Sequence, residues 1–379
     1  MPIRLGFVGL STQGWASSTL AAPLFRPPLS SKYHVVAVST SNPESAARSA
    51  KKYSELGSSA TGEEIKAKPY YGSTENISSD PDVDMVAVSI KTTMHMEAAM
   101  KVIEAGKDLF LEWPAGRNAK ETEELYEAAK RKGIRTIVGA QFRTSIFARK
   151  VKSLVETGTI GRVLSSTLII SFGHDAPFWG KYTLPSHAYL LDEANGAGML
   201  DIGAGHALEM FQFVLGPIIS LTATTHNPFP RSIVLNPAQD FQPTSQTHPQ
   251  TVATQAAVSG FLANNTVFNF HMQAGVAKTA IGFLWLIDGE EGSIKVEDNK
   301  NRLFSPVDPD VFVNGKKLEL EREVDKLGMV RRAWDAFAEG RVGEYATLED
   351  AVRNRRVIDA IKESGRTRQT ICLQINVKN

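Results

Sequence analysis

Short apolar runs alternate with helical patterns through the first third of the chain. Five runs rich in β-branched residues have the length of buried strands: residues 3–10, 34–40, 85–90, 108–113 and 135–141. Between them, apolar positions recur with helical spacing in three segments: residues 43–55, 96–106 and 119–133. Strand–helix–strand units repeated at this spacing predict an α/β fold with a parallel, doubly wound sheet. The proline-rich residues 23–33 predict a loop.

The pattern changes near residue 150. A helix is predicted over 147–158 and a strand over 163–172, and long alternating stretches typical of an antiparallel sheet follow. Residues 263–265, Ala-Asn-Asn, predict a hairpin turn. Thr347 and Asp350 have the spacing of a capping box, which predicts a helix over 347–364. Residues 224–251, with several prolines, are predicted to be the most mobile loop.

Composition adds limits on function. The net charge of +1 disfavours a nucleic-acid or membrane surface, because both need clustered basic residues. No apolar run approaches the length of a membrane span, and the first residues lack a secretory pattern. The single cysteine, Cys372, cannot form an intramolecular disulfide, which favours a reducing compartment and the cytoplasm. The alternation around Cys372 predicts a buried structural thiol on a strand.

The clearest motif follows the first predicted strand. Gly9 and Gly14 match the outer glycines of G-x-G-x-x-G, and Ser11 stands at the middle position. Such a turn brings a pyrophosphate against the backbone, so Ser11, Thr12 and Gln13 are predicted to contact NAD or NADP. The alternative is a turn that only connects a strand to a helix.

The end of the second strand bears on the choice of cofactor. Thr40 and Ser41 stand where a carboxylate would bind the ribose 2′-hydroxyl of NAD. Two hydroxyls would not repel a 2′-phosphate, so NADP is favoured modestly over NAD. Alternatively, both hydroxyls cap the helix that begins at Pro43.

Five segments in order resemble the Gfo/Idh/MocA oxidoreductase family: residues 6–10, 95–114, 153–163, 195–216 and 347–364. The resemblance implies a Rossmann dinucleotide-binding domain over 1–145. It also implies a C-terminal α/β domain over 146–379 with a large, mostly antiparallel open sheet, through which a homodimer would form. The last helix is expected to pack back on the first domain.

The resemblance also assigns the chemistry. Family dehydrogenases carry a Glu-Lys-Pro motif, but here Glu112 is followed by Trp113, which cannot transfer a proton. The resemblance keeps His206 as the candidate general acid/base, and Asp201 lies one residue away from the family's aspartate position. Trp113 is expected to wall the cofactor and substrate pocket, or else to pack behind the strand. The Glu-Trp pair is similar to the branch that contains the galactose-regulon repressors of yeasts.

Other candidates complete the predicted site. Lys91 and His95 lie on the cofactor side after a strand, as a phosphate-binding lysine and a helix-capping or cofactor-binding histidine. Gln141 and Arg143 end a strand at the domain junction, where Arg143 would bind an anionic group or form an interdomain ion pair. By resemblance, residues 171–198 form the substrate loop, with candidate binding residues His174, Trp179 and Tyr189 and candidate proton donors Lys181 and Tyr182. The histidine and acidic residues there have no metal-ligand spacing, so no metal is predicted.

Three functions remain open at this point. The first is an NAD(P)-dependent hydride transfer to a polyol-like or specialised-metabolite substrate, with an atypical proton relay. The second is a redox-neutral cyclase, lyase or epimerase that uses the same pocket. The third is a dinucleotide-sensing transcriptional co-regulator that binds a protein partner. The absence of the family's Glu-Lys-Pro lysine weakens the hydride-transfer function, because removing a proton-transfer group costs about 10²–10⁴-fold in rate.

Overall fold

The computed structural model describes residues 1–277, 282–298, 306–322 and 327–374. These residues form two compact units. The first contains residues 1–144 and 327–352, and the second contains residues 145–322 and 353–374.

The first unit is built on a six-stranded sheet. Its strands are β1 (Ile3–Val8), β2 (Tyr33–Thr40), β3 (Lys68–Tyr71), β4 (Met85–Val88), β5 (Asp108–Leu111) and β6 (Thr136–Val138). They are ordered β3-β2-β1-β4-β5-β6, and every neighbouring pair is parallel. The strand order reverses beside β1, which is where doubly wound sheets bind ligands. The predicted parallel sheet is therefore confirmed, and β3 is a strand that the pattern did not predict.

Helices cover both faces of this sheet. They are α1 (Pro43–Thr61), α2 (Thr74–Ser78), α3 (His95–Glu104) and α4 (Ala119–Lys132). The side chain of Asn42 caps α1 by accepting from the Ser45 amide at 2.9 Å, and Gly62 ends α1 in the left-handed conformation. Between β1 and β2 the chain makes a π-helical turn (Ala16–Leu20) and two short 3₁₀ turns.

A later segment completes the core of the first unit. Helix α7 (Leu327–Ala338) buries Trp334, whose ring stacks on Phe110 of β5 at 4.6 Å between centroids. The hydroxyl of Tyr33 donates to the carbonyl of Trp334 at 2.7 Å. The predicted domain boundary near residue 145 therefore does not account for α7. This helix follows that boundary in the chain, but its apolar face is buried against β2 and β5 of the first unit.

The second unit contains two further sheets. The strands are β7 (Val163–Gly173), β8 (Tyr182–Thr183), β9 (Ile218–His226), β10 (Arg231–Asn236), β11 (Gln242–Pro249), β12 (Gln255–Leu262), β13 (Val267–Ala277), β14 (Phe283–Gly289), β15 (Ser293–Asp298), β16 (Asp310–Val313), β17 (Lys316–Leu318) and β18 (Ile371–Cys372). Nine of them are ordered β17-β16-β15-β14-β7-β13-β12-β9-β18, and only the β7–β13 pair is parallel. This confirms the large, mostly antiparallel sheet.

Three details of the second unit bear on the predictions. The turn at 263–265 joins β12 to β13 as a hairpin, as predicted. The segment 224–251 is not a structureless loop, because it contains the β10–β11 pair, which forms a three-stranded sheet with β8. Cys372 lies on a short strand, but its thiol is exposed, so the prediction of a buried thiol is wrong. This two-residue strand lies at the edge of the sheet, where the thiol is left exposed to solvent.

Three helices belong wholly or partly to this unit: α5 (Ile146–Glu156), α6 (Gly205–Leu215) and α8 (Leu348–Thr367). Helix α6 is buried on nearly all sides, and its Phe211 packs on Phe268 and Trp285 of the sheet. The predicted capping box of α8 is present, since Thr347 N donates to Asp350 Oδ2 at 2.9 Å. No helix in the described ranges is long and apolar enough to cross a membrane.

Candidate functional site

The turn after β1 has the shape that a dinucleotide requires. Gly9 has φ of +88°, and a Cβ there would lie 2.0 Å from the carbonyl oxygen of Ser89. Gly14 has φ of +97°, and a Cβ there would meet no atom within 4 Å. The first glycine is therefore needed for the close approach of β1 and β4. The second borders open space that a side chain would begin to fill.

Side chains of α1 and of the loop itself donate hydrogen bonds to the main-chain carbonyls of this loop. Tyr53 of α1 donates its hydroxyl to the carbonyl of Ser11 at 2.8 Å, and Lys52 donates to that of Thr12 at 2.7 Å. The hydroxyl of Ser11 donates to the carbonyl of Gln13 at 2.5 Å. Three successive acceptors are thus already bonded, so the loop offers an anion few free carbonyl oxygens. The residues present fit a pyrophosphate, and the Ser11 hydroxyl is directed into its own loop.

The end of β2 has no acidic residue. Thr40 is half-buried and Ser41 is exposed. Thr40 donates to the carbonyl of Asn42 at 3.3 Å, and Ser41 accepts from the amide of Asn42 at 3.4 Å. Both contacts are long, so the hydroxyls are weakly engaged. The cap of α1 is supplied by Asn42 rather than by Thr40 or Ser41.

A partly buried carboxylate follows β5. Oε2 of Glu112 accepts from the indole Nε1 of Trp15 at 2.9 Å, and Oε1 accepts from the Trp113 amide at 3.1 Å. A Cβ on Gly139 would lie 2.1 Å from Glu112 Oε1, so this glycine makes room for the carboxylate. Burial raises the pKa of Glu112 to about 7, and the two hydrogen bonds oppose that rise.

The neighbours of Glu112 have structural contacts. Trp113 is 4% exposed, and the peptide bond from Trp113 to Pro114 is cis. His95 is buried, with Nδ1 at 2.7 Å from the Pro114 carbonyl and Nε2 at 3.0 Å from the Ile90 carbonyl. Both nitrogens of His95 therefore face main-chain acceptors, which favours positioning of the two loops over direct phosphate contact. Lys91 is exposed beside His95.

The two residues predicted at the end of β6 differ in their surroundings. Arg143 is buried, forms an ion pair with Asp350 at 3.3 Å and donates to the Tyr345 carbonyl at 3.1 Å. These contacts lie within the first unit, so the ion pair is an internal one. The amide oxygen of Gln141 is buried and accepts no hydrogen bond from the described residues. A buried acceptor of this kind is favourable only when a ligand or water donates to it.

In the second unit, His206 lies on the first turn of α6. It is 6% exposed, and burial lowers its pKa to about 3. Its imidazole is therefore neutral at physiological pH and far from the near-neutral pKa that favours a general base. Glu209, one turn later, is 2% exposed.

Asp201 belongs to a buried ion cluster. It lies in a π-helical turn (Leu200–Ala204) directly before α6. Its Oδ1 is 2.6 Å from Arg355 and 2.8 Å from Lys362, both on α8, and its Oδ2 accepts from the Gly198 amide at 2.9 Å. Asp201 and Arg355 are each 1% exposed. Two cations on one carboxylate favour a positioning role over proton transfer.

The substrate loop is aromatic. Trp179 is buried with a positive φ of 54°, and its Nε1 donates to the Ala197 carbonyl at 3.2 Å. Phe178 packs between Trp179 and His187. The other predicted residues of this loop are less enclosed: Tyr182, Tyr189 and His174 are half-buried and Lys181 is exposed, with its ammonium over the Tyr182 ring. Burial raises the pKa of Tyr189. Within the described ranges, no group of His, Cys, Asp and Glu is arranged to hold a metal.

Four residues of these arrangements were missed by the sequence reasoning: Trp15, Gly139, Arg355 and Lys362. Trp15 directly follows the glycine turn, and this position in the sequence could have identified it as a candidate. Gly139 lies beside a strand end, where ligand crevices occur. The two cations on α8 gave no local signal, because their partner Asp201 is more than 150 residues away in the chain.

Comparisons with known proteins agree with this architecture. Residues 3–140 match the model of the oxidoreductase family with an NAD-binding Rossmann fold, and residues 147–298 match that of the Gal80p C-terminal domain. A dehydrogenase of Aspergillus oryzae, aclE, is 28% identical over 97% of both chains. The galactose/lactose regulatory protein GAL80 of Saccharomyces cerevisiae is 25% identical over 78% of this chain and 67% of its own.

Among solved structures, a super-repressor mutant of Gal80p from Saccharomyces cerevisiae shares the fold, with a TM-score of 0.84 at 21% identity over 98% of both chains. The two family matches together cover most of the sequence. This chain is therefore similar to the Gfo/Idh/MocA oxidoreductase family over residues 3–140 and to Gal80 over residues 147–298.

Proposed function

We propose that this protein binds a nicotinamide dinucleotide in its first unit and transfers hydride to or from a small polar molecule. The observation that carries the proposal is the turn from Gly9 to Gly14. It lies where the strand order reverses, it keeps its carbonyls bonded, and it leaves open space at Gly14. When bound, the nicotinamide would accept or supply the hydride. The remaining tasks belong to side chains of this chain.

NADP(H) is the favoured form in this proposal. The hydroxyls of Thr40 and Ser41 stand at the end of β2 in weak hydrogen bonds, and both could donate to a 2′-phosphate. A carboxylate there would instead bind the 2′-hydroxyl of NAD and repel the phosphate. Glu44 lies in the first turn of α1, two residues after the capping residue Asn42.

Glu112 is the proposed proton-transfer group. Its pKa of about 7 lets it exist in both protonation states near neutral pH, as a general acid/base requires. It follows β5, and Gln141 follows the adjacent parallel strand β6, so both belong to the same edge of the sheet. The unbonded amide oxygen of Gln141 would accept from a hydroxyl of the substrate.

The substrate class rests on likeness and on composition. The relative that aligns over 97% of both chains is a dehydrogenase. Within the second unit, the predicted substrate loop is aromatic with polar edges at Tyr182 and Tyr189, which by itself suits a polyol-like or specialised-metabolite ligand. Reduction would consume one carbonyl, one NADPH and one proton and would release one alcohol and NADP⁺.

Turnover can be tested directly with the full-length protein. NADPH absorbance would be followed with a panel of aldoses, ketoses and quinones, for wild type, Glu112→Gln and the exposed-surface control Glu75→Gln. The proposal expects consumption with at least one carbonyl, retained in Glu75→Gln and lowered about 10²-fold or more in Glu112→Gln. No consumption with any carbonyl, or equal rates in both variants, would contradict the proposed chemistry.

A second function is supported by a different observation. Residues 147–298 match the Gal80p C-terminal domain, and the family lysine is replaced by the buried Trp113. We propose, as the alternative, a dinucleotide-sensing co-regulator with a protein partner. Dinucleotide binding without turnover, together with a partner captured only in the presence or absence of the dinucleotide, would favour it over the enzyme.

A second copy of this chain is the proposed partner of the open sheet face. That face presents Phe261 and Val267, which pair across β12 and β13 and are 47% and 42% exposed. The outward positions of β9, β12 and β13 are uncharged: Thr222, Thr224, Ala257, Ser259, Asn269 and His271. Two such faces would meet without like-charge repulsion between acidic or basic side chains. Light scattering of wild type and Phe261→Asp would test this, with a dimer expected only for wild type.

A further inference from the structure

A separate cavity lies within the second unit. Its volume is about 280 Å³, close to the roughly 300 Å³ at which small-molecule pockets begin. Its walls are formed by Glu193, residues 198–201 before α6, residues 225–227 at the end of β9, residues 251–253 before β12, and the last turns of α8. His206 does not line it, whereas Glu193 and Gly198 at the end of the predicted substrate loop, and Asp201, do. The cavity therefore adjoins the end of that loop but does not include the imidazole of His206.

Two cations of α8 line this cavity. Lys362 and Arg366 are four residues apart, so they lie on the same face of the helix. Like charges at this spacing destabilise a helix unless an anion lies between or beside them. Lys362 already shares Asp201 with Arg355. Arg366 is exposed, and no carboxylate of the described residues pairs with it.

The unused donors point to an oxyanion. The Lys362 ammonium has three N–H donors and gives one to Asp201 Oδ1 at 2.8 Å. The Arg366 guanidinium has a planar fork that fits carboxylate and phosphate oxygens. The lining also includes two acidic residues, Glu193 and Asp201, and the neutral polar residues Thr225 and Asn227. This distribution suits a ligand with one acidic end and a neutral, hydroxyl-bearing body.

We propose that this cavity is a binding site for a small singly acidic metabolite, whose carboxylate or phosphate is held by Lys362 and Arg366. The neutral body would lie towards Thr225, Asn227 and Thr251. The site is independent of the dinucleotide turn, because none of its lining residues belongs to the first unit. Its ligand would therefore bind with or without a cofactor.

Calorimetric titration of the full-length protein tests the site with three probes of one size class. Gluconate supplies a carboxylate, glucose 6-phosphate supplies a phosphate, and glucose is the neutral control. The proposal expects one or both acidic probes to bind with a Kd of about 1 mM or tighter, and glucose to bind at least roughly tenfold more weakly. Binding of only one acidic probe identifies which oxyanion the site takes.

Two variants separate the site from the general charge of the protein. Arg366→Gln is expected to weaken binding of the acidic probe roughly tenfold or more. Lys316→Gln removes an equivalent charge from an exposed position of the same unit that does not line the cavity, and is expected to bind as wild type does. Thermal unfolding would show that both variants remain folded. Binding of neither acidic probe, equal binding of glucose, or equal effects of the two variants would overturn the proposal.

Discussion

The indole Nε1 of Trp15 donates a hydrogen bond to Glu112 Oε2 at 2.9 Å. This contact joins the turn after β1 to the end of β5. Trp15 is 49% exposed, so a half-exposed indole covers a partly buried carboxylate. The protonation of Glu112 therefore depends on the position of Trp15, and Trp15 directly follows the proposed cofactor turn.

Glu112→Gln should change how stability depends on pH. The pKa of Glu112 is raised in the fold, from an ordinary value near 4.5 to about 7, so the folded state holds this proton longer than the unfolded state. The stabilisation is complete below about 4.5 and is lost as pH rises through about 7. Glutamine keeps an acceptor for Trp15 but does not titrate. Urea unfolding from pH 4 to 8 should therefore show a smaller fall in the free energy of unfolding for Glu112→Gln than for wild type and Glu75→Gln.

Gly9→Ala should destabilise the first unit more than a matched glycine does. Both Gly9 and Gly72 have positive φ, +88° and +75°, but only a Cβ at Gly9 meets a backbone oxygen at 2.0 Å. Gly72→Ala should cost about 1 kcal/mol from backbone strain, and Gly9→Ala about 2 kcal/mol more. Denaturant unfolding measures both. Equal losses would show that the close approach to Ser89 is not a constraint.

Asp201→Asn should be severely destabilising. It leaves the buried guanidinium of Arg355 without the full charge of its partner at 2.6 Å. Breaking a buried ion pair costs about 3–5 kcal/mol. Glu64→Gln, which breaks the exposed pair with Lys66, should cost far less, because solvent screens an exposed ion pair. Comparable losses for the two variants would mean that the buried cluster contributes no more than a surface pair.

Acid should destabilise the second unit partly through His206. Burial lowers its pKa from 6.5 to about 3, so the unfolded state takes up this proton first. Stability is therefore lost as pH falls below about 6.5 and continues to fall towards pH 3. His206→Gln should flatten this loss, and His226→Gln, at an exposed position, is the control. The test is the unfolding midpoint in urea between pH 4 and 7.

Ser41→Asp should shift the cofactor preference from NADPH towards NADH. The added carboxylate would repel a 2′-phosphate and could accept from a 2′-hydroxyl. NADPH binding should weaken by about tenfold or more, with NADH binding unchanged or improved. Ser41 is exposed, so the substituted side chain would extend into solvent without disturbing the core, and Ser41→Ala controls for loss of the hydroxyl alone. Unchanged affinity for NADPH would place the 2′-phosphate elsewhere.

Local patterns predicted most of the elements. The five strands and three helices of the first third, the Asn-Asn hairpin and the capping box at Thr347 are all present, because each depends on periodicity or on a few adjacent residues. The place of α7 was missed, since its Trp334 packs on Phe110 more than 200 residues earlier in the chain. The spacing of apolar residues along the sequence does not predict a contact between such distant segments.

The site was predicted less completely than the fold. The glycine turn and Glu112 were singled out as cofactor-binding candidates because they match family motifs that follow strands, and these roles stay predictions. The surroundings of Arg143, Asp201 and His95 were not predictable, because their partners are an aspartate, an arginine and carbonyls contributed by distant segments. Burial also decides the pKa of Glu112 and of His206, in opposite directions, and burial is a property of the packed chain.

Calorimetric titration of the purified protein with NADPH, NADP⁺, NADH and NAD⁺ tests the central claim most directly. Wild type should bind at least one of them with a Kd of about 10 μM or tighter, with NADPH or NADP⁺ preferred. Gly14→Ala, which fills the open space at the turn, should weaken this binding roughly tenfold or more, while the equally strained Gly72→Ala should not. No binding of any of the four dinucleotides would contradict the account, for the enzyme and for the co-regulator alike.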